Sequence, residues 1–563
     1  MKKLLLSAAI TAALFGGTAH ADITLDGAGK VSVTPADTYE IYLSGASAVQ
    51  DFIEQVVTST AVNPADRLCD SVKPIYKFVD AAKNGSDQRA YYCTINPSNV
   101  ALTGLAGAKA NLLIYKRNAG GSAMGVLPVA AESAIEFLAI NAANCTVPAA
   151  PVAGLSKSSC TYASGAAGTT AGTNQMQVPD FGVSDVDPEQ FKLSNTAAGF
   201  SAVSSSDLAK LTVLAGPTQV FGIAVTTKLR NALQEAQFPT TSVCNPTNAG
   251  YTTFPGTAAT KEAATAESAA CQPSLGHEQV ASIFAGKLPN WNLLKTSATT
   301  DLFNGASAAN KAALSNVHIC TRTDGSGTKA QMGINFLNYP CTASATPFAG
   351  DNSGLVGSLL SEAGGTSLGK PIVHNLGATG AVEECLTEMN NGNNAVVAGA
   401  FNNTTWATGN GRWAIGILGL ESNAALTATT APAHAEAVDY RFIKIDGVSP
   451  TVQNVMAGKY HDWAESTFQY NTNHVFATSE KNVALEIIRV AGNPVIVGEL
   501  NGFNLHSFGQ SGFLSSPSLF TANADGLYTP ANPVNTFSHG TSSSSVNNCR
   551  NPASYKLKGA FQL

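Results

Sequence analysis

The stretch TRTDGSGTKAQMG, residues 321–333, concentrates groups that hold anions. Arg322 offers a planar fork of donors that matches a tetrahedral oxyanion. Asp324, two residues on, is placed to hold that guanidinium from behind. Gly325, Ser326, Gly327 and Thr328 then open a helix-like run. A helix start leaves backbone N–H groups unpaired and carries partial positive charge. Glycine lets a ligand approach that backbone and hydroxyls add donors, so an anion is held there without a lysine. Gly45-Ala46-Ser47-Ala48 and Gly121-Ser122-Ala123 have the same form, although any one of them alone is more often an ordinary capped helix. The segment DFGVSDVDPEQF, 180–191, puts Asp185 in a tight turn after a short strand-like run. An ionised carboxylate only accepts hydrogen bonds. Beside an anion site it favours a ligand that still carries a proton, such as protonated phosphate, and rejects fully ionised sulfate.

Elements able to position such turns recur along the chain. EIYLSGASAVQDFIEQVV, NLLIYKRNAGGSAMGVL, TQVFGIAVTTKLRNALQ and SNVHICTRTDGSGTKAQMGINFL each run from an apolar stretch through a Gly/Ser turn into an amphipathic one. That alternation predicts an α/β architecture. With 563 residues, 44% hydrophobic and 12% charged, the chain is long enough for two cores or more. Low-charge segments rich in Ala, Thr, Ser, Gly and Pro at 139–175, 239–275 and 422–436 read as loops or insertions. The tail from about 515 to 550 reads as irregular surface structure.

The opening MKKLLLSAAITAALFGGTAHA has two lysines, a short apolar core and small residues at Ala19 and Ala21, the pattern of a cleaved secretory signal over 1–21. Its apolar run is too short to span a membrane, and no Cys follows for lipid attachment. The expectation is an exported, periplasmic or secreted protein without a membrane anchor. Removing the signal leaves 30 basic against 38 acidic residues, a charge of −8. That balance argues against nucleic acid as a partner, because nucleic acid demands a basic footprint. Ten cysteines in an exported chain read as disulfides. Pairing by nearest neighbour gives Cys69–Cys93, Cys145–Cys160, Cys244–Cys271 and Cys320–Cys341, leaving Cys385 with Cys549.

RTDGSGT resembles the signature of periplasmic phosphate-binding proteins, the substrate receptors of phosphate ABC transporters. FGVSD is similar to that family's Phe-Gly-Ala-Ser-Asp segment, and GSAMGV to its Gly-Ser-Ser-Gly-Gly-Ile segment. LGHEQVASIFAGKLPNWN, GRWAIGILGLE and IDGVSPTVQNVMAGKYHDW resemble further family segments, all in the family's order. The similar DING proteins share the fold. The resemblance implies a two-lobe type II periplasmic binding fold: one lobe of 22–219 with 466–563, the other of 220–465. Crossover strands would lie near FGIAV and STFQY. It implies that Arg322, Ser326, Gly327 and Thr328 hold the anion from one lobe, and Ser122 and Asp185 from the other, with Gly121, Asp324 and Gly325 in support. The family also uses a hydroxyl at the first helix; Val49 and Gln50 stand there, which leaves Ser47 as the replacement. Insertions at about 55–112 and 127–178 enlarge the first lobe beyond the family's size.

Other readings carry less. Ser326-Gly-Thr-Lys329 matches S-x-x-K, but its partner motifs are missing. HEQVA at 277–281 lacks the second His of a zinc-protease helix, and GAGK at 27–30 is no P-loop. Asp187 and Glu189, which with Asp185 resemble half a calcium loop, read as solvated turn residues. Trp291, Trp406, Trp413 and Trp463 read as packing. No base is visible beside Ser122 or Ser326. The expected function is therefore non-catalytic capture of inorganic phosphate or a related oxyanion by a monomer, for an ABC transporter or for scavenging, with no cofactor and no metal. The alternatives are a secreted phosphatase on the same scaffold, or an adhesion or matrix protein with a vestigial cleft.

Overall fold

The structure, a computed structural model, describes residues 24–555 except 164–173, 350–370, 393–410, 423–438 and the short stretches 153, 255–256, 258–262, 343, 478, 503 and 542–544. The signal segment 1–21, Trp406 and most of the 422–436 stretch lie outside the described residues.

Among the described residues thirteen strands form one mixed sheet. In chain order they are β1 (Thr38–Gly45), β2 (Ile75–Asp80), β3 (Gln88–Thr94), β4 (Asn111–Arg117), β5 (Leu155–Cys160), β6 (Phe181–Ser184) and β7 (Leu211–Thr226). Then come β8 (His318–Arg322), β9 (Ile372–Leu376), β10 (Ala414–Gly419), β11 (Tyr440–Phe442), β12 (Trp463–Asn471) and β13 (Phe513–Leu514). The order across the sheet is β9-β8-β10-β7-β12-β6-β1-β4-β3-β2-β5, with β11 and β13 also on β7. Around it pack α1 (Gln50–Thr58), α2 (Thr227–Gln237), α3 (His277–Phe284), α4 (Gly327–Leu337), α5 (Thr379–Asn391), α6 (Glu480–Ala491) and α7 (Pro494–Gly502). The α/β architecture read from the sequence is the one observed. β1, β4, β8 and β10 are buried almost end to end, as strands covered on both faces must be.

The sheet has two halves joined by two antiparallel strands. β6, β1 and β4 run parallel on one side; β9, β8 and β10 run parallel on the other. β7 is shared: Leu211–Ala215 pairs with β12, and Phe221–Val225 pairs with β10. Between them the register shifts from Ala215 to Thr218. Gly216 and Pro217 stand at the shift; proline has no N–H for the ladder, so the strand bulges there. FGIAV lies on β7 and STFQY on β12. The segments 55–112 and 127–178 place β2, β3 and β5 in the sheet, extending the first half beyond β4.

Three disulfides pair as nearest-neighbour spacing predicts: Cys69–Cys93, Cys145–Cys160 and Cys244–Cys271. The other two do not. Cys320 on β8 joins Cys385 on α5, and Cys341 joins Cys549. A strand–helix–strand unit lays α5 on β8, so residues far apart in sequence meet while Cys341, beyond the end of α4, faces the tail. The tail is irregular, as expected, but much of it is not surface. Val534, Asn535, Thr536 and Ser538 are buried. Asn535 Nδ2 donates to Thr218 Oγ1 (3.2 Å) and Ser538 Oγ to Glu465 Oε1 (2.8 Å), so small polar side chains take up hydrogen-bonding groups where the halves join. Trp291, Trp413 and Trp463 are buried packing residues. Among the described residues no helix is long and apolar enough to cross a membrane, and no group of His, Cys, Asp and Glu could hold a metal ion.

Candidate oxyanion site

β8 ends on Arg322, and four residues turn the chain into α4. Gly325 makes that turn with φ +87°, and a side chain there would strike Ala197 at 2.8 Å. Ser326 caps α4, its hydroxyl accepting from Lys329 N (3.4 Å). The first turn, Gly327 and Thr328, is buried. Arg322 is buried too. Nη1 donates to Thr379 Oγ1 (3.0 Å) and Nη2 to Gly377 O (3.1 Å), while Nε has no partner. Gly377, in the β9–α5 turn, and Thr379, the first residue of α5, thus hold the guanidinium that Asp324 was expected to hold. Asp324 instead accepts from Lys329 Nζ (2.8 Å) at half exposure. The Ser326-x-x-Lys329 pair is accordingly a helix cap beside an ion pair.

The opposite wall comes from the other half of the sheet. Asp185 follows β6, and its Oδ2 accepts from Ser122 Oγ (3.0 Å), whose oxygen accepts from Asp185 N (3.2 Å). Oδ1 of Asp185 is buried without a partner. A carboxylate therefore does sit beside Ser122, where the sequence shows no base. Gly327 lies directly on this pair: a Cβ there would be 2.3 Å from Ser122 Oγ and 2.6 Å from Asp185 Oδ2. A Cβ on Gly121 would lie 3.7 Å from Arg322 Nη2. Ala123 N donates to Gly325 O (2.9 Å), a backbone bond between the halves.

The structure thus brings Gly121, Ser122, Asp185, Arg322, Gly325, Ser326 and Gly327 together, with Thr328 in the same helical turn. Ser47 is half-buried in the β1–α1 turn and makes no hydrogen bond with them. Val49 is buried at the N-cap of α1, and Gln50 begins that helix.

Burial pushes the Asp185 carboxyl up to about 6, against the pull of Ser122, Arg322 and Lys116. Burial likewise brings Arg322 down to about 10, and Asp185 opposes that shift. Two charged groups in a desolvated space support each other in this way.

Sequence reasoning missed Lys116. It is fully buried, and Nζ donates to Gly45 O (3.1 Å), Ala46 O (3.0 Å), Arg117 O (3.2 Å) and Asn118 Oδ1 (2.7 Å). One buried amine ties the β1–α1 turn to the loop leading to Ser122, and burial holds its pKa well below the ordinary lysine range against the pull of Asp185. The available signal was a lysine ending an apolar run just before a Gly-Ser turn. Glu421 was also missed: burial pushes its carboxyl up to about 8, with Asp185 adding to the shift. Asp187, expected in solvent, is buried and accepts from Asn548 N (2.7 Å) and Gln190 Nε2 (3.0 Å), because the tail folds back over the Asp185 turn.

No protein-family model and no curated protein matches this chain. Solved structures do. One is a Clostridium perfringens protein with bound phosphate, assigned to phosphate ABC transporters as a substrate-binding protein: 12% identity over 82% of this chain and 97% of that one, TM-score 0.33. Another is an ABC-type phosphate transport receptor from Vibrio cholerae, at 12% identity over 57% of this chain and 79% of that one, TM-score 0.27. A DING protein shares 14% identity over 69% of this chain and 86% of its own, TM-score 0.29.

Proposed function

We propose that this chain captures hydrogen phosphate, or a closely related protonated tetrahedral oxyanion, between the two halves of its sheet. The observation that carries this reading is the Asp185–Arg322 pair. A buried acceptor without a partner, Asp185 Oδ1, belongs to one half, and a buried donor without a partner, Arg322 Nε, to the other. Each such orphan costs about 1–3 kcal/mol. A ligand that brings an O–H and several acceptor oxygens serves both at once, and the start of α4 adds unpaired N–H groups. An anion with no proton would set a lone pair against the Asp185 carboxylate.

The lobes of such a receptor would be 22–219 with 466–563 and 220–465, closing by bending at the β7 bulge and β12. Exported and monomeric, it would deliver phosphate to an ABC transporter or scavenge it outside the cell. Ser122 and Ser326 then act as hydrogen-bonding groups, since Ser122 is tied to the Asp185 turn and Ser326 is a cap. The test is calorimetry with phosphate and sulfate on the wild type and Arg322→Ala. One-to-one phosphate binding, lost in the variant, supports the reading; hydrolysis of a chromogenic phosphate ester that disappears in Ser122→Ala would replace it with a phosphatase.

A further inference from the structure

A second compartment adjoins the oxyanion site. A cavity of about 770 Å³ lies between the halves, within the usual range of small-molecule pockets. Arg117, Met124, Glu136 and Phe200 line it from the first half, Asp324 and Asn375 from the second. Gly120 and Thr323, which also line it, are chain neighbours of Gly121 and Arg322. The partition between cavity and site is built of Gly121, Ala123, Ala197 and Gly325, which carry nothing longer than a methyl. At its centre the Ala123 N–H bonds Gly325 O (2.9 Å), so parting the halves opens one compartment into the other.

The cavity has polar groups of its own to satisfy. Arg117 and Glu136 line it from the first half, Asp324 and Asn375 from the second, so it presents cationic, anionic and amide groups together. A hydroxyl accepts and donates, so it bonds to the cationic and the anionic groups of such a lining alike. An inorganic anion confined behind the partition reaches neither.

We propose that this cavity takes the organic group of a hydroxylated phosphomonoester, of the glycerol phosphate or sugar phosphate class, whose phosphate occupies the Arg322–Asp185 site. The inference rests on the oxyanion reading above and sharpens its ligand. It also has a proton signature. Hydrogen phosphate brings Asp185 a proton, whereas a monoester dianion brings none. Asp185, whose carboxyl burial pushes up to about 6, then takes one from solvent as the ester binds. Ester affinity therefore falls with rising pH more steeply than phosphate affinity.

The full chain is titrated calorimetrically with inorganic phosphate, sn-glycerol 3-phosphate and glucose 6-phosphate at pH 7.0 and 8.5. At least one ester is expected to bind within about thirtyfold of inorganic phosphate, or tighter, and to lose about tenfold or more across that pH range, as uptake of one proton requires. Ala198→Trp, at the exposed lip of the cavity, is expected to weaken the ester about tenfold and leave inorganic phosphate within about twofold, since it fills only the organic pocket. Should that variant fail to fold, Asn375→Leu carries the same expectation. Phosphate binding with both esters weaker than thirtyfold overturns this inference and leaves the phosphate reading standing. So does ester binding that neither variant affects. Failure of phosphate and esters alike overturns both readings.

Discussion

The two walls of the site are built differently. The Arg322 wall is one short piece of chain: strand end, glycine turn and helix start all fall within residues 321–333. The Asp185 wall is assembled from Gly121-Ser122 after β4, Asp185 after β6, and the Lys116 side chain that ties the neighbouring turns. The contiguous wall depends on local geometry, a capped helix and a turn that only glycine makes without collision. The assembled wall depends on the parallel order β6-β1-β4, which puts the ends of separate strands at one edge. A local wall is expected to lose function without losing fold. An assembled one is expected to lose part of both.

Substitutions can separate the two. Arg322→Ala removes the guanidinium that faces the ligand, and the Asp185 carboxyl, left without that charge, is pushed further up and takes a proton rather than staying a buried unpaired anion. Phosphate affinity is expected to fall by about two orders of magnitude or more with little change in melting temperature, checked by calorimetry and thermal unfolding. Gly327→Ala puts a methyl onto Ser122 and Asp185 and is expected to weaken phosphate about as much, through blocked closure. Lys116→Met, on the assembled wall, frees four acceptors and is expected to lower stability by about 2–4 kcal/mol and phosphate affinity about tenfold. Asp185→Asn supplies a donor where a proton was accepted; phosphate is expected to weaken and sulfate to gain, narrowing their ratio about tenfold or more. Asp324→Ala removes only a half-exposed ion pair, worth about 0–1 kcal/mol, and affinity is expected to stay within about threefold.

The walls also differ in their response to pH. The assembled wall carries Asp185, pushed up to about 6, and Glu421, at about 8, lies within its electrostatic reach. A carboxyl whose folded pKa is raised stabilises the fold at low pH, and that stability is lost as pH rises through the folded value. The ligand-free protein is therefore expected to melt at progressively lower temperature from pH 5 to pH 8.5. Asp185→Asn should flatten the part of that slope near pH 6, read by thermal unfolding in a buffer series.

The same contrast explains what was legible in the sequence. Arg322 and Ser326-Gly327-Thr328 were readable as one unit because a strand end, a glycine turn and a capped helix start follow one another directly in the chain. The α/β alternation was readable because buried strands are apolar runs ending in glycine turns. Asp185 was singled out by its turn, but its contact with Ser122 exists only because β6 and β4 flank β1. The role given to Asp324 failed because a guanidinium takes whatever acceptors the next strand brings, here Gly377 and Thr379. The Cys320–Cys341 pairing failed for the same reason: the parallel order places α5, with Cys385, against β8. Asp187 was misread because the tail that buries it is 361 residues away in the chain. Lys116 escaped notice because a lysine ending a strand is ordinarily a solvated one.

The most direct test of a site shared between the halves is calorimetric competition of phosphate and sulfate on the ligand-free protein at pH 7. One-to-one phosphate binding with sulfate weaker by about tenfold or more, the cost at pH 7 of first protonating a carboxyl pushed up to about 6, is the result predicted from a carboxylate that accepts the ligand's proton. Sulfate binding as tightly as phosphate, or no binding of either at millimolar concentration, would contradict it.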